Sequence, residues 1–218
     1  MRVASLTLAL ALAAGGALMI GTRAAAQAQA SPNPHIGHVL DSFMNTPEKK
    51  GLLPTAQAEA AIAATHAALG AKATDNLNAM KLHAGHVIHA VDPSVEATGP
   101  GLGYGVKRAA TGVAQHVTLA AGTAGASANI KTHATHVAAA ATAVAQRADE
   151  IVALAQRIRA AATPADAAPL AAQLATLCQQ LVTGVDTNKD GTIGWQTPEG
   201  GLQHAQQHMD LLKKGEGG

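Results

Sequence analysis

Between residues 130 and 158 an apolar side chain returns at every seventh position: Ile130, Val137, Val144, Ile151 and Ile158. Ala134, Ala141, Ala148 and Ala155 keep the same period one turn further on. A seven-residue apolar repeat lined by alanine describes a helix face that packs closely against another helix with left-handed crossing. The stretch from about 126 to 162 is therefore predicted as one long helix. Leu170, Leu174, Leu177 and Leu181 form a matching stripe on the next, from about 163 to 182, and the two are expected to make an antiparallel hairpin around Pro164. Composition points the same way. The chain holds 53 alanines against one Phe, one Tyr and one Trp, and alanine is the best helix former whereas aromatic residues favour strands.

Glycine and proline punctuation divides the remainder into helices over about 54–69, 75–91, 104–121 and 202–213, with a short apolar turn or helix at 36–44. The resulting expectation is an all-α, Ala-rich helical bundle of four main helices with short accessory helices. Residues 1–30 read as an export signal: Arg2, an apolar run from Val3 to Ile20, and small-x-small cleavage sites ending at Ala28 and Ala30. Cleavage leaves a single His-rich domain over 31–218 in a periplasmic or secreted protein; an uncleaved membrane anchor is the rival reading. No other stretch is long and apolar enough to span a bilayer, so no membrane partner is expected after cleavage.

The function classes narrow by exclusion. A net charge of +1 and a single tryptophan provide neither the basic face nor the stacking platform of a nucleic-acid binder. One cysteine, Cys178, excludes a disulfide framework, a thiolate zinc cluster and covalently attached c-type haem, and its place beside an apolar stripe reads as a small buried hydrophobe. No nucleophile–base pair, paired-acid motif or phosphate loop is present, so no enzymatic activity is expected. The glycines of 101–105 follow no strand and do not make a nucleotide loop.

Eleven histidines are the anomaly. At 100° per residue, His66 faces the core, His83 borders an apolar stripe from which His86 and His89 step away, His116 sits at the edge of another, and His133 lies on the Ile130–Val137 seam with His136 flanking it. His83/His86 and His133/His136 have the i, i+3 spacing that lets two imidazoles reach one ion. Several imidazoles buried without an ion would each need a hydrogen-bond partner, at about 1–3 kcal/mol per unsatisfied group. The pattern points to a transition-metal centre in the bundle core formed by His66, His83, His86, His89, His116, His133 and His136, with copper, zinc or nickel all compatible. The bare helix surface at Ala84, Gly85 and Gly112 keeps b-type haem clamped by two histidines as the alternative, and Met80 as a possible soft ligand. His35/His38 and His204/His208 are candidate secondary pairs near the two ends.

Asp186-Thr187-Asn188-Lys189-Asp190-Gly191-Thr192-Ile193 resembles the opening of an EF-hand loop. The resemblance implies calcium held by the side chains of Asp186, Asn188 and Asp190 and the carbonyl of Thr192, with Gly191 at the sharp turn. Thr197 stands where that loop carries its bidentate acid, and Glu199 is the candidate replacement. An Asx-turn between two helices is the plainer reading of the same residues. The function expected from all this is metal handling or storage by an exported helical bundle. The alternatives are a bis-His haem protein for electron transfer or sensing, and a structural scaffold with a calcium-stabilised loop. The sequence specifies no protein partner.

Overall fold

The heptad stripe of residues 130–158 becomes the spine around which the other helices are laid. The computed structural model of the chain describes residues 33–217; the export signal expected over 1–30 lies outside them. The described residues form α1 (Pro34–Leu40), a 3-10 turn (Pro47–Lys49), α2 (Leu52–Lys72), α3 (Leu77–Val91), α4 (Val106–Gly122), α5 (Ala128–Ala160), α6 (Pro164–Thr183) and α7 (Leu202–Gly215). Side-chain caps start four of them where the sequence offers a short polar residue: Asn33, Asn76, Ser127 and Thr163 each accept a backbone N–H of the first turn.

All nine seam positions of α5 are buried, Ile130 at 7% exposure being the most open. Four helices, α3, α4, α6 and α7, pack on α5, and α2 packs on α3, α4 and α6. On α6 the buried line runs through Ala167, Ala171, Leu174, Cys178 and Leu181, while Leu170 and Leu177 of the expected leucine stripe are half-buried beside it. Much of this core is alanine, which lets helix axes come close and leaves little room for anything larger.

The expectation of four main helices with accessory pieces is corrected: among the described residues, seven α-helices share the core. The short helices are structural parts of it. α1 buries Val39 completely, and α7 buries Leu202, Ala205, Met209 and Leu212. Their apolar faces are only one to four residues long, too short for periodicity to mark them as core elements. Gly112, read as a gap beside His116, faces Leu52 instead: a Cβ there would stand 2.9 Å from a Leu52 methyl. No helix among the described residues is long and apolar enough to cross a membrane.

Two buried charged side chains fix the loops. Glu59 on α2 is fully buried and accepts the N–H groups of Leu102, Tyr104 and Gly105 at 3.1, 2.9 and 2.9 Å, tying the glycine-rich 99–105 loop to the bundle. Arg147 on α5 donates to the carbonyls of Gln180, Pro198 and Gly200 at 2.9, 2.8 and 3.1 Å, fastening the 184–201 loop. A carboxylate or guanidinium can be buried only when its hydrogen-bonding capacity is met in this way.

Candidate metal centres

Nine of the eleven histidines gather into three triads: His35, His38 and His116; His66, His83 and His86; His133, His136 and His208. Each triad combines an i, i+3 pair on one helix with a single histidine on a neighbour. The pairs lie on α1, α3 and α5, and the single residues on α4, α2 and α7. All nine rings are half-buried.

The three triads repeat one geometry. From the single histidine, the Nδ1–Nδ1 distance to the first member of the pair is 3.1, 3.2 and 3.1 Å in the three groups, in chain order of the pairs. To the second member it is 3.3, 3.3 and 3.4 Å. The ring of the single residue tilts against the first member by 41°, 31° and 33°. Against the second it stands edge-on at 85°, 80° and 69°. Unconnected surface histidines have no reason to reproduce distances and angles this closely.

Two of the three separations in each triad suit an ion, and one ligand nitrogen from every ring lies within 4.8 Å of those of the other two. Nitrogens about 2.0–2.1 Å from a tetrahedral centre stand about 3.3–3.4 Å from one another. Hydrogen bonding alone suits them poorly. A neutral imidazole Nδ1 either donates one proton or offers one in-plane lone pair. The single Nδ1 can therefore form one good N–H···N bond, yet two ring nitrogens point at it. A cation uses all three lone pairs together.

The helix pairs are locked where the triads form. Asn33, two residues before His35, donates to the carbonyl of Ala120 at 3.2 Å, and Ala120 lies one turn beyond His116. Asn129, one turn before His133, donates to the carbonyl of Leu212 at 2.9 Å, and Leu212 lies one turn beyond His208. The same antiparallel clamp thus serves two triads. At the third, Gly70, one turn beyond His66, allows α3 to approach: a Cβ there would stand 3.3 Å from the Cβ of His83.

Burial holds at least one ring of each triad in the form that ligates. His66, His86, His116 and His136 all lie below the ordinary histidine pKa, desolvation being the main cause and neighbouring imidazoles the next. His208 is lowered furthest, to about 4, by burial and then by His136, His133 and His204. Neutral imidazole is the metal-binding species.

The grouping differs from the single core centre expected from the sequence. His66, His83 and His86 stay together, but His116 belongs with His35 and His38, and His133 and His136 belong with His208. The terminal pairs split: His35, His38 and His208 are full members, while His204 caps α7, accepting from the amide of Gly201 at 3.2 Å and donating Nε2–H to the carbonyl of Ile193 at 3.0 Å. His89 is buried with Nδ1 2.9 Å from the carbonyl of Glu96, and Gly99 and Gly101 close over its ring; it pins the 92–105 loop and joins no triad. Met80 is core, and burial pushes the Cys178 thiol up to about 12, so it stays protonated.

A sequence signal for the triads did exist. Each pair is followed by a valine, His-x-x-His-Val, and Val39, Val87 and Val137 are all fully buried. Each single histidine has small or apolar buried residues three before and one after it: Ala63 and Ala67, Val113 and Val117, Ala205 and Met209. These flanks set the rings at the core boundary.

In the 186–199 loop, Asp186 accepts the amides of Lys189, Asp190 and Gly191 at 2.7, 3.2 and 2.9 Å. Asn188 accepts the amide of Asp190 at 2.9 Å, and Asp190 that of Thr192 at 2.8 Å. Glu199 is buried and folds back into the loop, accepting from the Thr187 hydroxyl and the amides of Asn188 and Gly194 at 3.2, 3.3 and 3.1 Å. The Thr192 amide holds the Asp190 carboxyl below the usual range, and the Gly194 amide does the same for Glu199.

Comparison with models of protein families, with curated proteins and with solved structures finds no match in any of the three.

The lowered histidines make a stability prediction for metal-free protein. Below their ordinary 6.5 the unfolded chain binds protons that the folded chain refuses, so stability is full above about pH 6.5 and declines as pH falls towards about 4. The lowered carboxyls act only below their ordinary 4.5 or 3.8, outside the window from pH 7 to 5. Thermal unfolding in the presence of chelator should show the melting temperature dropping steadily from pH 7 to 5. A flat profile would mean that the triads are not held neutral.

Proposed function

We propose that this protein binds three transition-metal ions, one in each histidine triad, and stores or hands on those ions rather than using them in turnover. The threefold repetition of the same ring geometry carries this reading. Three neutral nitrogens suit borderline ions such as zinc, copper and nickel and suit calcium or magnesium poorly. Three ligands also leave a tetrahedral ion one position for water or for an incoming donor, an open position shared by catalytic zinc sites and by any site that exchanges its ion. Placing the three ions in separate half-buried sites rather than one centre favours capacity over a single catalytic point. The bare-ion reading is supported over b-type haem because a porphyrin needs its two imidazoles on opposite sides of a plane, whereas these rings converge on a common point. Export to the periplasm or beyond rests on the first thirty residues alone and is part of the same proposal.

A second ligand is proposed for the 186–199 loop, where the inward turn of Glu199 supports its standing in for the acid that Thr197 lacks. Calcium there would be structural, stabilising the fold by about 2.7 kcal/mol at a hundredfold excess over Kd. Calcium should raise the melting temperature of the wild-type chain by several degrees and leave that of Glu199→Gln unchanged. An identical response in both would remove Glu199 from the ligand set, and no response in the wild type would leave the loop an Asx-turn.

Titration with zinc, read by calorimetry and by elemental analysis after dialysis, should give three ions per chain. His66→Ala, His116→Ala and His208→Ala should each lower the stoichiometry from three to two, and the triple variant should bind none tightly. One ion per wild-type chain, or loss of all binding in any single variant, would overturn the three-site reading.

A further inference from the structure

The chain has only three aromatic residues besides histidine, and two of them lie against triads. Trp195 stacks on the ring of His136, with centroids 3.8 Å apart and planes 22° from parallel, and meets His208 edge-on at 6.2 Å. Phe43 packs edge-on against His38 at 5.5 Å and against His116 at 5.1 Å. Tyr104 carries the Arg108 guanidinium over its face instead. The rings of His66, His83 and His86 pair only with one another.

Both aromatic residues sit on anchored segments. The turn bearing Phe43 is closed by its own amide, which donates to the carbonyls of Lys49 and Lys50 at 3.2 Å, and by the Thr46 hydroxyl, 2.7 Å from the Phe43 carbonyl. The loop bearing Trp195 is fastened by Arg147 and by the Thr197 hydroxyl, which donates to the carbonyl of Ala139 at 2.9 Å. These bonds hold the backbone beneath each ring, and the rings themselves are half-buried.

An imidazole leaves an ion by rotating about its side-chain bonds, which sweeps the ring through the space beside it. An indole stacked on the ring fills that space, and the apolar surface around a site also limits access of water and of competing ligands. Face stacking blocks the sweep more completely than edge contact does. We infer that Trp195 and Phe43 are positioning residues that grade the three sites by exchange rate. The Trp195 site releases its ion slowest, the Phe43 site is intermediate, and the His66/His83/His86 site is fastest. This inference rests on the triads holding ions, and it adds a division of labour between exchange and retention.

Copper(II) is the probe, because it quenches a nearby indole and Trp195 is the chain's single tryptophan. The full chain loaded with three equivalents of copper(II) is mixed rapidly with excess EDTA, with copper absorbance and tryptophan fluorescence followed together. Absorbance should decay in three phases, and fluorescence should recover with the slowest. Trp195→Ala should speed that phase by roughly 2- to 10-fold, the rate equivalent of one aromatic pair, and Trp195→Phe should restore part of the delay. Phe43→Ala should speed only the middle phase. Fluorescence recovery with the fastest phase, a single phase in the wild type, or unchanged phases in Trp195→Ala would overturn the grading while leaving three-ion binding intact. Should Trp195→Ala not fold, the wild-type fluorescence decides alone. A chain that takes up no copper would overturn both readings.

Discussion

At each triad an imidazole from one helix reaches the same point as a pair from its neighbour, and between α2 and α3 this closeness comes from Ala63, Ala67 and Gly70 around His66. Histidine is a medium-length side chain with one rigid ring, so the separation and register of two helices decide whether opposing Nδ1 atoms meet. At the other two triads the buried residues flanking the single histidine are Val113 and Val117 on α4 and Ala205 and Met209 on α7. Asn33 and Asn129 then fix the slide of one helix along the other, which sets the height of the single histidine against its pair. Small residues set the spacing at the α2–α3 triad, and asparagines set the register at the other two.

The triads also impose a cost that the rest of the fold must carry. Three ring nitrogens brought together without an ion cannot all be satisfied by one another, and desolvation disfavours the proton at His66, His86, His116, His136 and His208. The surrounding structure meets that cost with fully buried valines beside each pair and with two charged clamps, Glu59 and Arg147, that hold the long loops in place. On the proposed function, an ion would turn the same arrangement from unfavourable to favourable and so couple occupancy to stability at each triad.

The local part of this arrangement was legible in the sequence, and the non-local part was not. The heptad of α5 is a short-range pattern, and all of its seam positions are buried as read. The spacing of His83/His86 and His133/His136 likewise marks pairs on one helix face. What periodicity could not supply is which helices touch: His116 is met by a pair 78 and 81 residues earlier, and His208 by a pair 72 and 75 residues earlier. In the middle triad the single histidine precedes its pair, whereas it follows in the other two, so no contiguous repeat exposes the recurrence. The short helices α1 and α7 lie near the ends of the chain and carry no long apolar stripe, so nothing local marks their histidines as partners of those on the longer helices. His89 shows the opposite failure, since its neighbours in sequence suggest a ligand while a backbone carbonyl occupies its ring nitrogen.

The convergence of the nine Nδ1 atoms on three points is the central claim, and an anomalous difference map from crystals of the zinc-loaded protein, collected at the zinc edge, tests it most directly. The account predicts three peaks of similar height, each about 2.0–2.1 Å from three Nδ1 atoms: His35, His38 and His116; His66, His83 and His86; His133, His136 and His208. Peaks bound through Nε2 atoms, scattered over surface carboxylates, or merged into one centre would contradict it.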